Sequence, residues 1–204
     1  DGRSFTTRRV SAVQHGEVIF ALSASFHRAE EGVAHHIAMP EVPSPETLPT
    51  LRERLEPWMD EFGGAWYLRR RPIDLRYAGP VTWEARADPA LREPRTRVWL
   101  RIDGELPDDP LLHVCLMTYA SDLSLLDSLL LAHGLTWTDG RISGASLDHA
   151  MWFHRPFRAD RWLLYDQEAP ASGGGRGLAR GQVFTEDGEL VVSVMQEGLL
   201  RVRA

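Results

Sequence analysis

Residues 112–134 read LHVCLMTYASDLSLLDSLLLAHG, and this stretch decides the fold class. Leu112, Leu116, Tyr119, Leu123, Leu126 and Leu130 recur at alternating steps of four and three, the spacing that stacks side chains on one face of an α-helix. Gly134 stands where such a helix, of about twenty residues, can terminate. The spacing therefore predicts one buried helix. The flanking sequence has a different character. Residues 71–77 and 95–102 precede the helix as strand-like runs, and residues 144–154, residues 162–168 and a closing hairpin follow it. One long helix among antiparallel strands implies an α+β fold, a curved sheet wrapped around that helix.

The two ends of the chain resemble each other. Residues 3–26, RSFTTRRVSAVQHGEVIFALSASF, read as two β runs about a turn at His15-Gly16. Residues 176–198, RGLARGQVFTEDGELVVSVMQEG, repeat that plan about Glu186-Asp187-Gly188. Aligned with one gap, Arg3 falls on Arg176, Val10 on Val183, Gly16 on Gly188 and Glu17 on Glu189, so a duplicated hairpin is expected. Between them, the proline-rich residues 39–50 (MPEVPSPETLPT) disfavour a continuous helix or central strand and read as a linker. A short amphipathic segment, residues 51–62, follows and is broken by Pro57.

Composition narrows the possible functions. The 204 residues carry 29 acidic and 23 basic side chains, a formal charge of −6, which argues against general nucleic-acid binding through a basic face. Every basic residue is Arg, with no Lys and no Asn, a bias that fits GC-rich coding. With 43% hydrophobic residues the chain can bury a sizeable core. No apolar run approaches the ~18 residues of a membrane span, because Asp122 and Asp127 interrupt the richest stretch, and no basic-then-apolar leader opens the sequence. The single cysteine, Cys115, excludes an internal disulfide framework and is expected to be a small core residue. These features point to a soluble cytoplasmic protein.

Several residues could carry chemistry. Asp122 lies about 60° from Tyr119 at the rim of the apolar stripe, and a partly desolvated carboxylate is a better base. Asp127 occupies the opposite rim equally well, and periodicity does not choose between them. On the last strand, Leu190, Val192, Val194 and Gln196 share a face, so Gln196 interrupts an apolar face with an amide that must find partners or else closes the strand. In the run from Ser146 to Phe157, Ser146 and Asp148 share one strand face and His149 the other, which does not make a Ser-His-Asp triad, and no G-x-S-x-G elbow exists. His149 and His154 lack a third ligand at metal spacing, so no metal is expected. Gly173-Gly174-Gly175 before Arg176 could cradle a phosphate or simply connect a hairpin. The Arg69-Arg70-Arg71 run is a solvated edge or a phosphate attractor.

Six fragments together resemble one family, the acyl-CoA thioesterase II or TesB-like double-hotdog thioesterases. They are RSFTTRRVSAVQHGEVIF near the start, YASDL at 119–123, SLDHAMWFHRPF at 146–157, WLLYDQEAP at 162–170, GGRGLARG at 174–181 and VMQEGLLR at 194–201. Their order and spacing cover nearly the whole chain. The resemblance implies two fused hotdogs, each a strongly bent antiparallel sheet around a helix, and hydrolysis of fatty acyl-CoA to free acid and CoA without a cofactor. It further implies that Asp122, Ser146 and Gln196 hold the attacking water, with Ser146 standing where Thr is usual. It thereby selects Asp122 over Asp127.

On this resemblance the chain divides into residues 1–38, a first repeat without its opening strand and central helix; residues 39–67, the linker and short helix; and residues 68–204, a complete second repeat. The first repeat has Ala24 where the second has Gln196, which implies one site per chain. Gly174, Gly175 and Arg176 are the candidate contacts for CoA. The expected partner is the acyl-CoA substrate, and sheet edges of this type imply a homo-oligomer. Two other functions compete: a non-catalytic acyl-CoA-binding protein, and an enoyl-CoA hydratase using an Asp/His pair such as Asp148 and His149.

Overall fold

A computed structural model describes residues 2–62 and 71–203, and within it the chain forms two compact units, Asp1–His35 and His36–Ala204. The first unit is an antiparallel hairpin of β1 (Phe5–Gln14) and β2 (Glu17–His27), turned at His15 and Gly16. Its register shifts by one residue between Ala12 and Val13, just before the turn. Val10, Val13, Val18, Ile19 and Phe20 of this hairpin are exposed.

The second unit opens with α1 (Leu51–Leu55), which Thr50 and Glu53 start as a reciprocal capping box. Next come β3 (Ile73–Tyr77), α2 (Thr82–Ala87), β4 (Arg95–Ile102), α3 (Pro110–Ser121) and α4 (Asp127–His133). The strands β5 (Ile142–Ser146), β6 (Ala150–Phe153), β7 (Leu163–Gly173), β8 (Arg176–Thr185) and β9 (Leu190–Val202) complete it. All strand pairs are antiparallel, in the order β3-β4-β7-β8-β9-β5, with β6 beside the other half of β9. The α+β arrangement expected from the sequence is therefore present.

The expected continuous helix is broken. Residues 122–126 form turns between α3 and α4, with Leu123 N donating to Ala120 O and Asp127 N to Ser124 O in the tighter three-residue pattern. Serines cause the break by competing for backbone carbonyls: Ser121 Oγ donates to Thr118 O and Ser128 Oγ to Leu125 O. Before the break, the side of the helix that meets the sheet is His113, Met117, Ala120 and Ser121, one residue out of phase with the leucine stripe. Tyr119 is consequently 54% exposed and Cys115 is exposed rather than a core residue. Leu126, the last residue of the break, and Leu130 of α4 are buried as expected, and Gly134 ends α4 in the left-handed conformation.

One face of the sheet holds the main core, where Leu125, Leu126 and Leu129 pack with Val98, Tyr165, Val183 and Val192. Gly177 and Gly198 let Leu129 of α4 and Leu126 of the preceding turn approach the sheet, since a Cβ on either would collide with Leu129 or Leu126. Trp99, Trp162, Leu164 and Phe184 cover the other face. There the proline-rich segment acts as a strap: Met39, Val42 and Leu48 pack on that cluster, Trp99 Nε1 donates to Pro43 O, and Trp162 Nε1 donates to Glu46 Oε1. Gly177→Val is expected to lower unfolding free energy by about 1–3 kcal/mol through overpacking against Leu129, measured by urea denaturation.

Candidate active site

Gln196 sits in the middle of β9 and is fully buried. Its Nε2 donates to Asp122 Oδ1 at 2.7 Å and to Ser146 Oγ at 2.8 Å. An ionised carboxylate only accepts, so the amide nitrogen must face Asp122. The three residues come from distant stretches of sequence. Asp122 is the residue that ends α3 at the serine-rich break, and Ser146 ends edge strand β5, opposite Gly198 of β9. Asp122 and Ser146 are exposed to an open cavity of about 410 Å³, which Leu123, Leu126, Asp127, Trp137 and Ala145 also line. Gln196 Oε1 is buried with no partner among the described residues.

The surroundings hold this arrangement in place. Between β5 and β6, residues 147–149 bulge from the edge of β9: Leu147 N donates to Glu197 O, and Glu197 N donates to Asp148 Oδ1. Asp148 therefore anchors the bulge that delivers Ser146. His149 Nε2 meets Ser121 Oγ at 2.9 Å. The same hydroxyl also lies within reach of Thr118 O and Met151 Sδ. Asp148 and His149 thus serve different partners. Tyr165, buried on β7, donates its OH to Ser121 O at 3.3 Å. Burial, and then the negative charge of Asp122, push the phenol well above its ordinary pKa, so it stays a neutral donor. Tyr165 was visible in the sequence only as part of the WLLYDQEAP fragment. No periodic signal marked it as a neighbour of Asp122.

The remaining candidates lie elsewhere. Gly174 and Gly175, at φ 59° and 76°, form the two-residue turn of the β7–β8 hairpin. Arg176 pairs with Leu199 in register, on the sheet face opposite Gln196, and reaches Glu197 at 3.5 Å. The structure does not bring these three to the Gln196 cluster. Arg69 and Arg70 lie outside the described residues, as does the expected boundary between residues 67 and 68. Among the described residues no group of three His, Cys, Asp or Glu side chains could hold a metal ion.

The acyl-CoA thioesterase family model matches residues 81–199, which contain Asp122, Ser146 and Gln196. The chain belongs to this family. It is 37% identical over 217 residues to acyl-coenzyme A thioesterase 8 of Homo sapiens, covering 99% of this chain and 65% of the human protein, so it spans just under two thirds of that relative's length. Acyl-CoA thioesterase II TesB2 from Mycobacterium marinum is 44% identical in a solved structure, with a TM-score of 0.80 over 100% of this chain and 71% of that one. A protein with the hotdog fold from Alicyclobacillus acidocaldarius superposes with a TM-score of 0.75 at 18% identity, over 100% of this chain and 70% of that one, a likeness of fold alone. The antiparallel sheet on its central helices is this hotdog fold.

This family member has a second carboxyl in the cavity wall. Asp127 Oδ1 accepts from Trp137 Nε1 at 2.7 Å and Oδ2 from the Tyr77 OH at 3.2 Å. Burial pushes Asp127 up to about 6, against the pull of those two hydrogen bonds. The folded chain then binds the proton more tightly than the unfolded chain. The resulting stabilisation is complete below the ordinary pKa of 3.8 and is lost as pH rises towards about 6, to the extent of up to about 3 kcal/mol. Relative to Asp127→Asn, which cannot titrate, the unfolding free energy of the native chain is expected to fall between pH 4 and pH 6.5. Denaturant titrations of both proteins across that range measure it.

Proposed function

We propose that the chain hydrolyses fatty acyl-CoA thioesters to free acid and CoA by direct attack of water at the Asp122, Ser146 and Gln196 cluster. The observation that carries this reading is the Gln196 amide. Its two N–H groups are taken by Asp122 Oδ1 and Ser146 Oγ, so the other carboxylate oxygen and the serine's own proton are left to the cavity. A water there donates to Asp122 and accepts from Ser146. Asp122 removes its proton as the oxygen attacks the thioester carbon. The C–O bond forms, the C–S bond breaks, and the proton passes to the departing thiolate. Thiolate is a good leaving group, so no covalent enzyme intermediate is required. Ser146 gives up the methyl of Thr, which leaves its hydroxyl more rotamers; the bond from Gln196 limits them.

The hydratase reading finds less support, because Asp148 and His149 are engaged with Glu197 N and Ser121 Oγ. The first unit fits a partial first hotdog repeat. Its hairpin shifts register just before the turn, as β8–β9 does between Val183 and Phe184. We place the reaction in a reducing, aqueous compartment such as the cytoplasm, within fatty-acid metabolism. Among the described residues no helix is long and apolar enough to cross a membrane. Exposed Trp152 and Phe153 on edge strand β6 favour a homo-oligomer, and sedimentation should report a dimer or larger.

Asp122→Asn should lower kcat for thiol release by about 10²–10⁴-fold while KM stays within a few fold. A thiol-trapping assay across acyl-CoA chain lengths measures it. Full activity in the variant would remove Asp122 from the mechanism. Acyl-CoA binding by the native chain with no thiol release would make it a binding protein.

A further inference from the structure

We infer that Trp137, latched by Asp127, is the wall of the acyl cavity that sets which acyl chain lengths are accepted. This rests on the thioesterase reading above, and its evidence is geometric. Trp137 is 36% exposed, yet its indole is fixed at both ends. Its Nε1 donates to Asp127 Oδ1 at 2.7 Å, and its six-membered ring lies over Gly144, where a Cβ would come within 2.4 Å of Trp137 Cζ3. The indole therefore bridges the first residue of α4 and Gly144, the central residue of β5, and all three line the cavity.

The latch is itself supported. Asp127 Oδ2 accepts from Tyr77, a buried residue of β3, so both carboxylate oxygens are engaged and no bare charge faces the cavity. A carboxylate in an apolar wall is tolerated on that condition. Leu123, Leu126 and Ala145 complete a surface that suits hydrocarbon better than the amide-bearing arm of CoA. Gly144 and Ser146 alternate on one face of β5, which puts the indole roughly 7 Å along the sheet from the hydroxyl that positions the water. An acyl chain whose carbonyl lies at Ser146 and which runs along this face meets the indole. Longer chains must displace it. Asp127 is a positioning residue in this account, acting through Trp137.

The test is kcat/KM for thiol release by the full chain with C4 to C16 acyl-CoA, together with the affinities of S-alkyl-CoA thioethers of matching lengths. Trp137→Ala should raise the long-to-short ratio of kcat/KM more than tenfold, chiefly through KM, with the same trend in thioether Kd. Asp127→Ala should move the ratio in the same direction by a smaller factor, and Asp127→Asn, which keeps the acceptor, should hold the native ratio. A uniform change at all lengths, or a native ratio in both alanine variants, would overturn the inference. If the native chain released no thiol at all, the thioesterase reading would fail instead, and the thioether ratios would still decide whether Trp137 is a length-selective wall.

Discussion

A primary amide buried on a sheet must give both of its N–H groups to acceptors, and the Gln196 amide does so by holding Asp122 and Ser146 together. The rest of the second unit is arranged to make those two acceptors available. Asp122 reaches Gln196 because the helix stops at Ser121 instead of running on to His133. Ser146 reaches it because the edge strand bulges after Ser146 and Asp148 ties the bulge to Glu197 N. Loss of either feature would leave a donor unsatisfied inside the core, at a cost of about 1–3 kcal/mol. Site geometry and stability are thus coupled through one side chain.

The catalytic account follows from what this amide leaves over. Tyr165, too deeply buried to ionise, and His149 both bond to Ser121, the residue before Asp122, and so fix the end of α3. Asp127 shows how differently a nearby carboxyl can be used. It stands five residues further along, at the start of α4, and both of its oxygens are taken by Tyr77 and Trp137. One carboxylate opens on the cavity and the other holds the Trp137 indole.

Much of the fold was legible in the sequence because turns and alternation are local signals. His15-Gly16 and Glu186-Asp187-Gly188 mark hairpins, and the runs at 71–77 and 95–102 contain β3 and β4. The helix break was not legible, since the apolar stripe runs straight through it while the competition from Ser121 and Ser128 depends on where the carbonyls lie. Helix α2 passed unnoticed because six residues carry too little periodicity. The strap has the composition of a linker, and only Trp99 and Trp162 on the sheet reveal its use. For the site, spacing left Asp122 and Asp127 equivalent. The family resemblance chose Asp122, and the structure brings that residue to Gln196 and Ser146. Trp137 carried no signal, because its partners Asp127 and Gly144 come together only in the folded chain.

The central claim is that the cluster activates water for direct attack, with no acyl group passing through Asp122. A single turnover in H₂¹⁸O, with the chain in excess over acyl-CoA, tests it most directly. The account predicts one ¹⁸O atom in the released fatty acid and none in the peptide containing Asp122. Unlabelled acid, with ¹⁸O in the Asp122 carboxylate, would show an acyl-aspartyl intermediate and contradict it.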